Sequence, residues 1–224
     1  MKDRHMKRDF RLSIDKVSPA NIRKNLLLAS LYLTAFEILK LAIVEDVHRF
    51  FVDDLELYTG AGSKGAKNSQ PDIPKDSLEY HKWQLGLYKR TIGVASDDRG
   101  YKGLIPSCEW LQKMGAVGND DTEDLKNIKK HRDEIAHELP DILIGEGYEV
   151  NLTLARRIME VLDKVDTFWI KSDTEINPPI INGKRLDELD DAHFFSGRVI
   201  ILNQILHSVL DYEIALNQPD DSVS

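Results

Sequence analysis

The sequence predicts an all-α fold, a helical bundle of about five main helices with a long first helix. Three observations predict it. Apolar residues recur in steps of three and four, most clearly at Leu154, Ile158, Val161, Val165 and Phe168, the rhythm of one buried helix face. The stretch that opens at Ser18-Pro19 keeps a helical pattern to near Leu57, with serine placed to cap and proline in the first turn. The one run with strand character, Ile142-Leu143-Ile144, has no partner to pair with, so the connection from Asp141 to Val150 is read as loop.

Residues 1–17 form a basic N-terminal arm, and Met1 to Arg11 lacks the apolar run of a signal peptide, which leads to the expectation of a cytoplasmic protein. The first helix carries two apolar stripes, Leu28-Leu31-Ala35-Ile38-Ala42 and Ala29-Tyr32-Phe36-Leu39-Ile43-Phe50. One stripe is expected to pack inside the domain and the other against an extra helix or a second subunit. Asn25 to Phe36 is uncharged for twelve residues, short of the roughly 18–20 that span a bilayer, and is read as buried in protein, with no membrane partner.

Residues 59–77 read as a flexible loop. Its glycines do not make a phosphate-binding loop, because Gly65 is followed by Ala66-Lys67 and a helix precedes. A second helix is expected from Leu78 to Val94, with Leu78, His81, Leu85, Tyr88 and Ile92 on its seam. After a turn at Ser96 to Gly100 comes a short helix from Ile105 to Met114, closed by Gly115 and Gly118. The next helix runs from about Thr122 to Glu138, with Asp120, Asp121 and Thr122 as N-cap candidates and Pro140 forcing Leu139 out of helical geometry. Leu152 to Ile170 follows as a helix, then turn signals at Pro178-Pro179 and Asn182-Gly183. The last helix, Asp187 to Asn217, is expected to bury Phe195, Val199, Leu202, Leu206 and Val209. Residues 1–224 are read as a single domain.

The composition bounds the function. A chain of 224 residues, 42% hydrophobic, can bury a substantial core. The lone Cys108 excludes an internal disulfide and any cysteine-based zinc cluster; beside Trp110 and Leu111 it reads as a packed thiol. A net charge of −8 argues against indiscriminate coating of nucleic acid, which rests on many phosphate contacts. The charge is nonetheless segregated. Lys126, Lys129, Lys130 and Arg132 have no acid between them, whereas residues 184–224 hold three basic residues against eight acidic ones. The lysines are candidate RNA-binding residues; a solvated helix face is the plain alternative.

Leu125, Ile128, Ile135 and Leu139 share one seam of this helix, and the rhythm places Arg132 between Ile128 and Ile135. A guanidinium there must meet a carboxylate, a phosphate or water, so pairing with a glutamate of a neighbouring helix and holding a ligand phosphate are both open. His137 lies about 140° round the helix from Arg132. Asp133, four residues before His137, shares its face and is expected to orient the imidazole.

The segment Arg132-Asp133-Glu134-Ile135-Ala136-His137 resembles the R-x4-6-H motif of the HEPN superfamily, in which a polar residue commonly follows the arginine and a small one precedes the histidine. The resemblance extends in outline to a small all-α bundle with a long hydrophobic first helix and the motif near the end of a late helix. It implies a metal-independent endoribonuclease, needing no cofactor, that cleaves RNA through its own 2′-hydroxyl. Arg132, His137 and Asp133 would be the catalytic residues. It further implies a homodimer with a shared site, in toxin–antitoxin or anti-phage defence under control of an antitoxin or other regulatory protein. Two alternatives stand beside this: a non-catalytic helical RNA- or protein-binding regulatory module, and a di-iron carboxylate bundle suggested by Glu45-x-x-His48 and Glu134-x-x-His137.

Overall fold

A computed structural model of the protein describes residues 19–54, 74–75, 77–94, 101–144, 149–176, 180–181, 184–185 and 196–216. Helix α1 spans Pro19–Arg49 and runs on into a π-helical turn, Phe50–Asp54. Helices α2 (Leu78–Ile92), α3 (Tyr101–Lys113), α4 (Asn119–His137), α5 (Leu139–Ile144), α6 (Leu152–Ile176) and α7 (Gly197–Leu216) follow. Between α6 and α7, Ile180–Ile181 (β1) and Lys184–Arg185 (β2) make a two-residue antiparallel ladder. Ile180 pairs with Arg185 and Ile181 with Lys184; the turn signals expected at Pro178-Pro179 and Asn182-Gly183 lie outside the described residues. The fold is all-α with a long first helix, as the sequence predicts.

Helix α1, about 46 Å long, is the axis on which α3, α4, α5, α6 and α7 pack. Both of its stripes are covered by the chain itself: Leu28, Leu31, Ala35 and Ala42 on one, and Ala29, Tyr32, Phe36, Leu39 and Ile43 on the other, are buried. Extra helices therefore satisfy the second stripe, and it is not left as a surface for a second subunit. By length and composition the segment Pro19–Val52 passes for a membrane span, with a mean hydropathy of 1.9 over its most apolar window. Of that window, 56% is buried inside the chain.

Several boundaries differ from expectation, each for a local reason. Pro140 does not begin a loop; it sits in the first turn of α5, where its missing N–H costs nothing. Residues 142–144 are thus helical, and Ile142 is buried. Helix α6 runs six residues past Ile170, to Ile176. Helix α7 begins only after Ser196, whose hydroxyl accepts the Val199 N–H at 3.1 Å. On α2 the inward line is Tyr80, Gln84, Tyr88 and Ile92, while Leu78 and His81 are exposed. The ring of Tyr88, packed edge-on against His48 and Phe51, fixes that face. Cys108 is buried, its Sγ 3.6 Å from Thr122 Oγ1, and burial pushes the thiol up. The arm 1–17, residues 59–73 and 76 of the loop, the Ser96 to Gly100 turn, Phe195 and the side chain of Val209 lie outside the described residues.

Candidate functional site

Helix α4 starts earlier than its acidic residues suggest. Gly118, in extended conformation (φ −93°, ψ 176°), is the N-cap, and its N–H donates to Asp121 Oδ2 at 2.7 Å. Asp121 is buried and also accepts from Lys164 Nζ at 2.8 and 2.9 Å and from Arg157 Nη2 at 2.8 Å. This ties the start of the motif helix to α6. Farther along, Leu125, Ile128 and Ile135 are fully buried, and the Tyr32 hydroxyl of α1 donates to the Ile128 carbonyl at 3.1 Å. The helix that carries the motif is therefore held rigidly on two sides.

Between Ile128 and Ile135 a step of three then four reaches His131, and four then three reaches Arg132. The structure turns His131 inward, only 8% exposed, and leaves Arg132 at the rim. His131 Nε2 accepts the Asn151 N–H at 2.9 Å, and its ring meets Tyr32 edge-on at 4.8 Å. Burial pushes the imidazole below its ordinary value, against the pull of Glu134, whose Oε2 lies 3.6 Å from Nδ1. A neutral ring with Nε2 unprotonated fits that hydrogen bond. Asn151 in turn caps α6, accepting from Leu154 N–H at 3.1 Å. Sequence reasoning passed over His131, although the same periodicity that singled out Arg132 reaches it.

The Arg132 side chain is 25% exposed. Its Nη2 lies 3.4 Å from Glu37 Oε1 on α1 and its Nη1 3.3 Å from Asp133 Oδ1, with Cζ 5.8 Å over the Phe36 ring. The stem covers apolar surface with Nε buried beside it, and the two Nη groups face the carboxylates. Pairing with a glutamate of a neighbouring helix, one of the two open readings, is the contact the structure shows.

His137 is exposed and stands in a groove of about 670 Å³ lined also by Ile105, Lys126, Lys129, Lys130, Asp133, Glu134 and Glu138. Arg132 is on the α1 side and does not line it. The structure thus gathers His137 with the three candidate RNA-binding lysines and keeps Arg132 apart. Each lysine faces an acid from the adjacent turn: Lys126 to Glu123 at 2.6 Å, Lys129 to Asp133 at 2.8 Å, Lys130 to Glu134 at 3.8 Å. The run without acids along the sequence is interleaved with acids in space, because residues three and four apart are helix neighbours.

Asp133 lies in the His137 groove, yet its oxygens go to Lys129 and Arg132, and among the described residues it makes no bond to His137. Burial pushes its carboxyl up, but the two cations outweigh it and hold it below the usual carboxylate range. For the di-iron alternative, no three His, Cys, Asp or Glu side chains gather as metal ligands among the described residues. Glu134 instead meets Lys130 and His131, and His48 packs on Tyr88.

Fold and site define a class: an all-α protein whose motif helix ends in a mixed-charge groove. Comparison with known proteins finds no matching family model, curated protein or solved structure.

Proposed function

We propose that the protein is a metal-independent endoribonuclease of HEPN type. The observation that carries this reading is an arginine fork and an imidazole, both within reach of solvent, presented by the last two turns of one rigid helix. Imidazole is the side chain best suited to move a proton near neutrality, and a guanidinium can hold a phosphodiester bidentately and stabilise charge that develops on it. His137 exchanges a proton with the 2′-hydroxyl or the leaving oxygen; Arg132 holds the scissile phosphate. Lys126, Lys129 and Lys130 guide the strand, and Asp133 positions Arg132 as well as lying beside His137. Purified protein is expected to cleave single-stranded RNA in EDTA, leaving 2′,3′-cyclic phosphate ends, and to spare DNA of the same sequence, which lacks the nucleophile. Loss of cleavage on chelation sinks the metal-independent mechanism.

Because Arg132 and His137 diverge on one helix, the complete site forms between two copies. The surface that fits a second copy lies on α7 and the ridge of α1 beside it. From Val199 to Leu210 there is no Asp, Glu, Lys or Arg, and Ile200, Ile201 and Ile205 are 45%, 57% and 40% exposed. Ile201 shares a groove with Ile38 and Leu41 and with Glu45, Asp46, Arg49 and Arg198, two acids against two bases, and Leu41 lies one turn beyond Glu37, which faces Arg132. Two copies of a chain with net charge −8 can meet there across a surface without net charge. Ile201→Lys is expected to turn a dimer into a monomer in sedimentation and to lower cleavage in parallel; a wild type that sediments as a monomer at micromolar concentration removes the shared site. The setting in toxin–antitoxin or anti-phage defence, in the cytoplasm and under a regulatory protein, goes with this reading.

A second reading, a non-catalytic regulatory module, is favoured by one observation, the Arg132–Glu37 pair at 3.4 Å. It expects no cleavage from any preparation of the wild type.

A further inference from the structure

The contacts of Arg132 belong to a longer row of charges that crosses from α1 to α4. Lys40 bonds Glu37 Oε2, Glu37 Oε1 faces Arg132, Arg132 faces Asp133, and Asp133 bonds Lys129. Signs alternate along the row, three cations with two carboxylates between them. Its links are unequal. Lys129 to Asp133 is 2.8 Å, whereas Arg132 stands 3.4 Å from Glu37 and 3.3 Å from Asp133, beyond the ~2.7–2.9 Å of a charge-assisted bond. Each carboxylate offers the guanidinium a single oxygen at these distances, with the other turned to a lysine. Neither of these two carboxylates engages the fork bidentately, and the Glu37 side chain is 40% exposed.

Resting on the reading of Arg132 as the phosphate-holding residue, we propose that Glu37 is a displaceable counter-ion occupying the place a substrate phosphodiester takes, and that Lys40 is the second cation of that phosphate seat. A phosphodiester brings two oxygens to one fork, the geometry Glu37 lacks here. Once Glu37 turns away, Lys40 and Arg132 lose a shared anion and gain another. Lys40 is only 17% exposed in its side chain, so its ammonium stays at the seat. Glu37 also gives the site a brake, since a weakly bound anion must compete with a tethered carboxylate for the same guanidinium.

Under this proposal the carboxylate opposes anion binding, whereas a structural ion pair would make it a support. The test is fluorescence anisotropy with a short single-stranded RNA carrying 2′-O-methyl groups, which binds without being cut, across a salt series. Glu37→Gln is expected to bind this RNA more tightly by a factor on the order of 5, with Glu37→Asp close to wild type. Lys40→Ala is expected to bind more weakly and to lose about 0.7 from the slope of log affinity against log salt, the value of one phosphate contact on a single strand. Glu37→Gln binding no tighter than wild type, or Lys40→Ala keeping the wild-type slope, overturns the proposal. Should Glu37→Gln fail to fold, the Lys40→Ala slope decides alone. Cleavage of unmodified RNA is scored separately: tighter binding by Glu37→Gln with no cut by any variant leaves the seat standing and removes the nuclease.

Discussion

Arg132→Ala and His137→Ala are each expected to lose RNA cleavage by a factor on the order of 100 or more, the size of a general acid–base or an electrostatic contribution to a transition state. Both proteins should keep their fold. His137 is exposed, so its removal is expected to change stability by no more than about 0.5 kcal/mol. Removing Arg132 leaves Glu37 with Lys40 and Asp133 with Lys129, so neither carboxylate is stranded, and relief of a partly desolvated cation can even raise the melting point. A composite site adds a stricter demand. In a mixture of the two inactive variants, a mixed dimer places one intact arginine opposite one intact histidine, and random pairing restores about a quarter of the wild-type sites. Cleavage rate and melting point measured on the same preparations decide the matter. Variants that unfold, or that melt normally and cut at the wild-type rate, make these residues structural. Loss of activity without complementation keeps the chemistry but removes the shared cleft.

Long amphipathic elements were legible because one physical signal repeats along them. The inward line of α6, with Ile158, Val161 and Val165 fully buried, follows from apolar spacing alone, and the length of α1 follows from its two stripes. Ends were less legible, because a residue that stops one helix can open the next. Pro140, expected only to close α4, sits in the first turn of α5, and Ser196 caps α7 where the sequence had placed the start at Asp187.

The candidate site divides in the same way. The angle between Arg132 and His137 follows from helix geometry, and the structure keeps them apart accordingly. The charge balance of the groove did not follow, because a count along the chain from Lys126 to Arg132 omits Glu123, Asp133 and Glu134 in the neighbouring turns. Glu37 is 95 residues from Arg132, and no local pattern brings the two together; only the packing of α4 on α1 does. His131 and Arg132 satisfy the same periodicity, and the choice between them is made by what each finds inside: an Asn151 N–H and a Tyr32 ring for the imidazole, water and two carboxylates for the guanidinium.

The largest expected effect on stability belongs to Asp121, which the sequence offered only as a cap candidate. Its carboxylate takes the Gly118 N–H, both Lys164 contacts and one Arg157 contact while buried. Asp121→Ala removes the carboxylate that accepts the Gly118 N–H at the start of α4, a bond worth about 1 kcal/mol, and the anion that joins α4 to α6. The two cations keep side-chain exposures of 46% for Lys164 and 25% for Arg157, so water replaces part of what they lose and the full cost of a broken buried pair is not reached. A total of about 2–3 kcal/mol is expected, a fall in melting point of roughly 5–10 °C for a chain of this size. Asp121→Asn separates the two contributions, since an amide oxygen can still accept the Gly118 N–H but carries no charge. The pH dependence has a definite sign. Burial pushes the Asp121 carboxyl up, but Lys164, the Gly118 N–H and Arg157 outweigh it and hold the folded value below the ordinary one. The unfolded chain therefore binds the proton first, and the stability this group supplies is complete above about pH 4 and drains away as the pH falls through the lower folded value. Wild type should lose more stability than Asp121→Asn over that acid interval, measured by denaturant titration at each pH. At neutral pH and well below its melting point, Asp121→Asn should cut RNA at the wild-type rate, because α4 stays anchored at Ile128 by Tyr32 and at His131 by Asn151. A loss of rate without a loss of melting point would put the start of the helix in the active site, and equal acid limbs for the two proteins would reduce the Asp121 cluster to a surface ion pair.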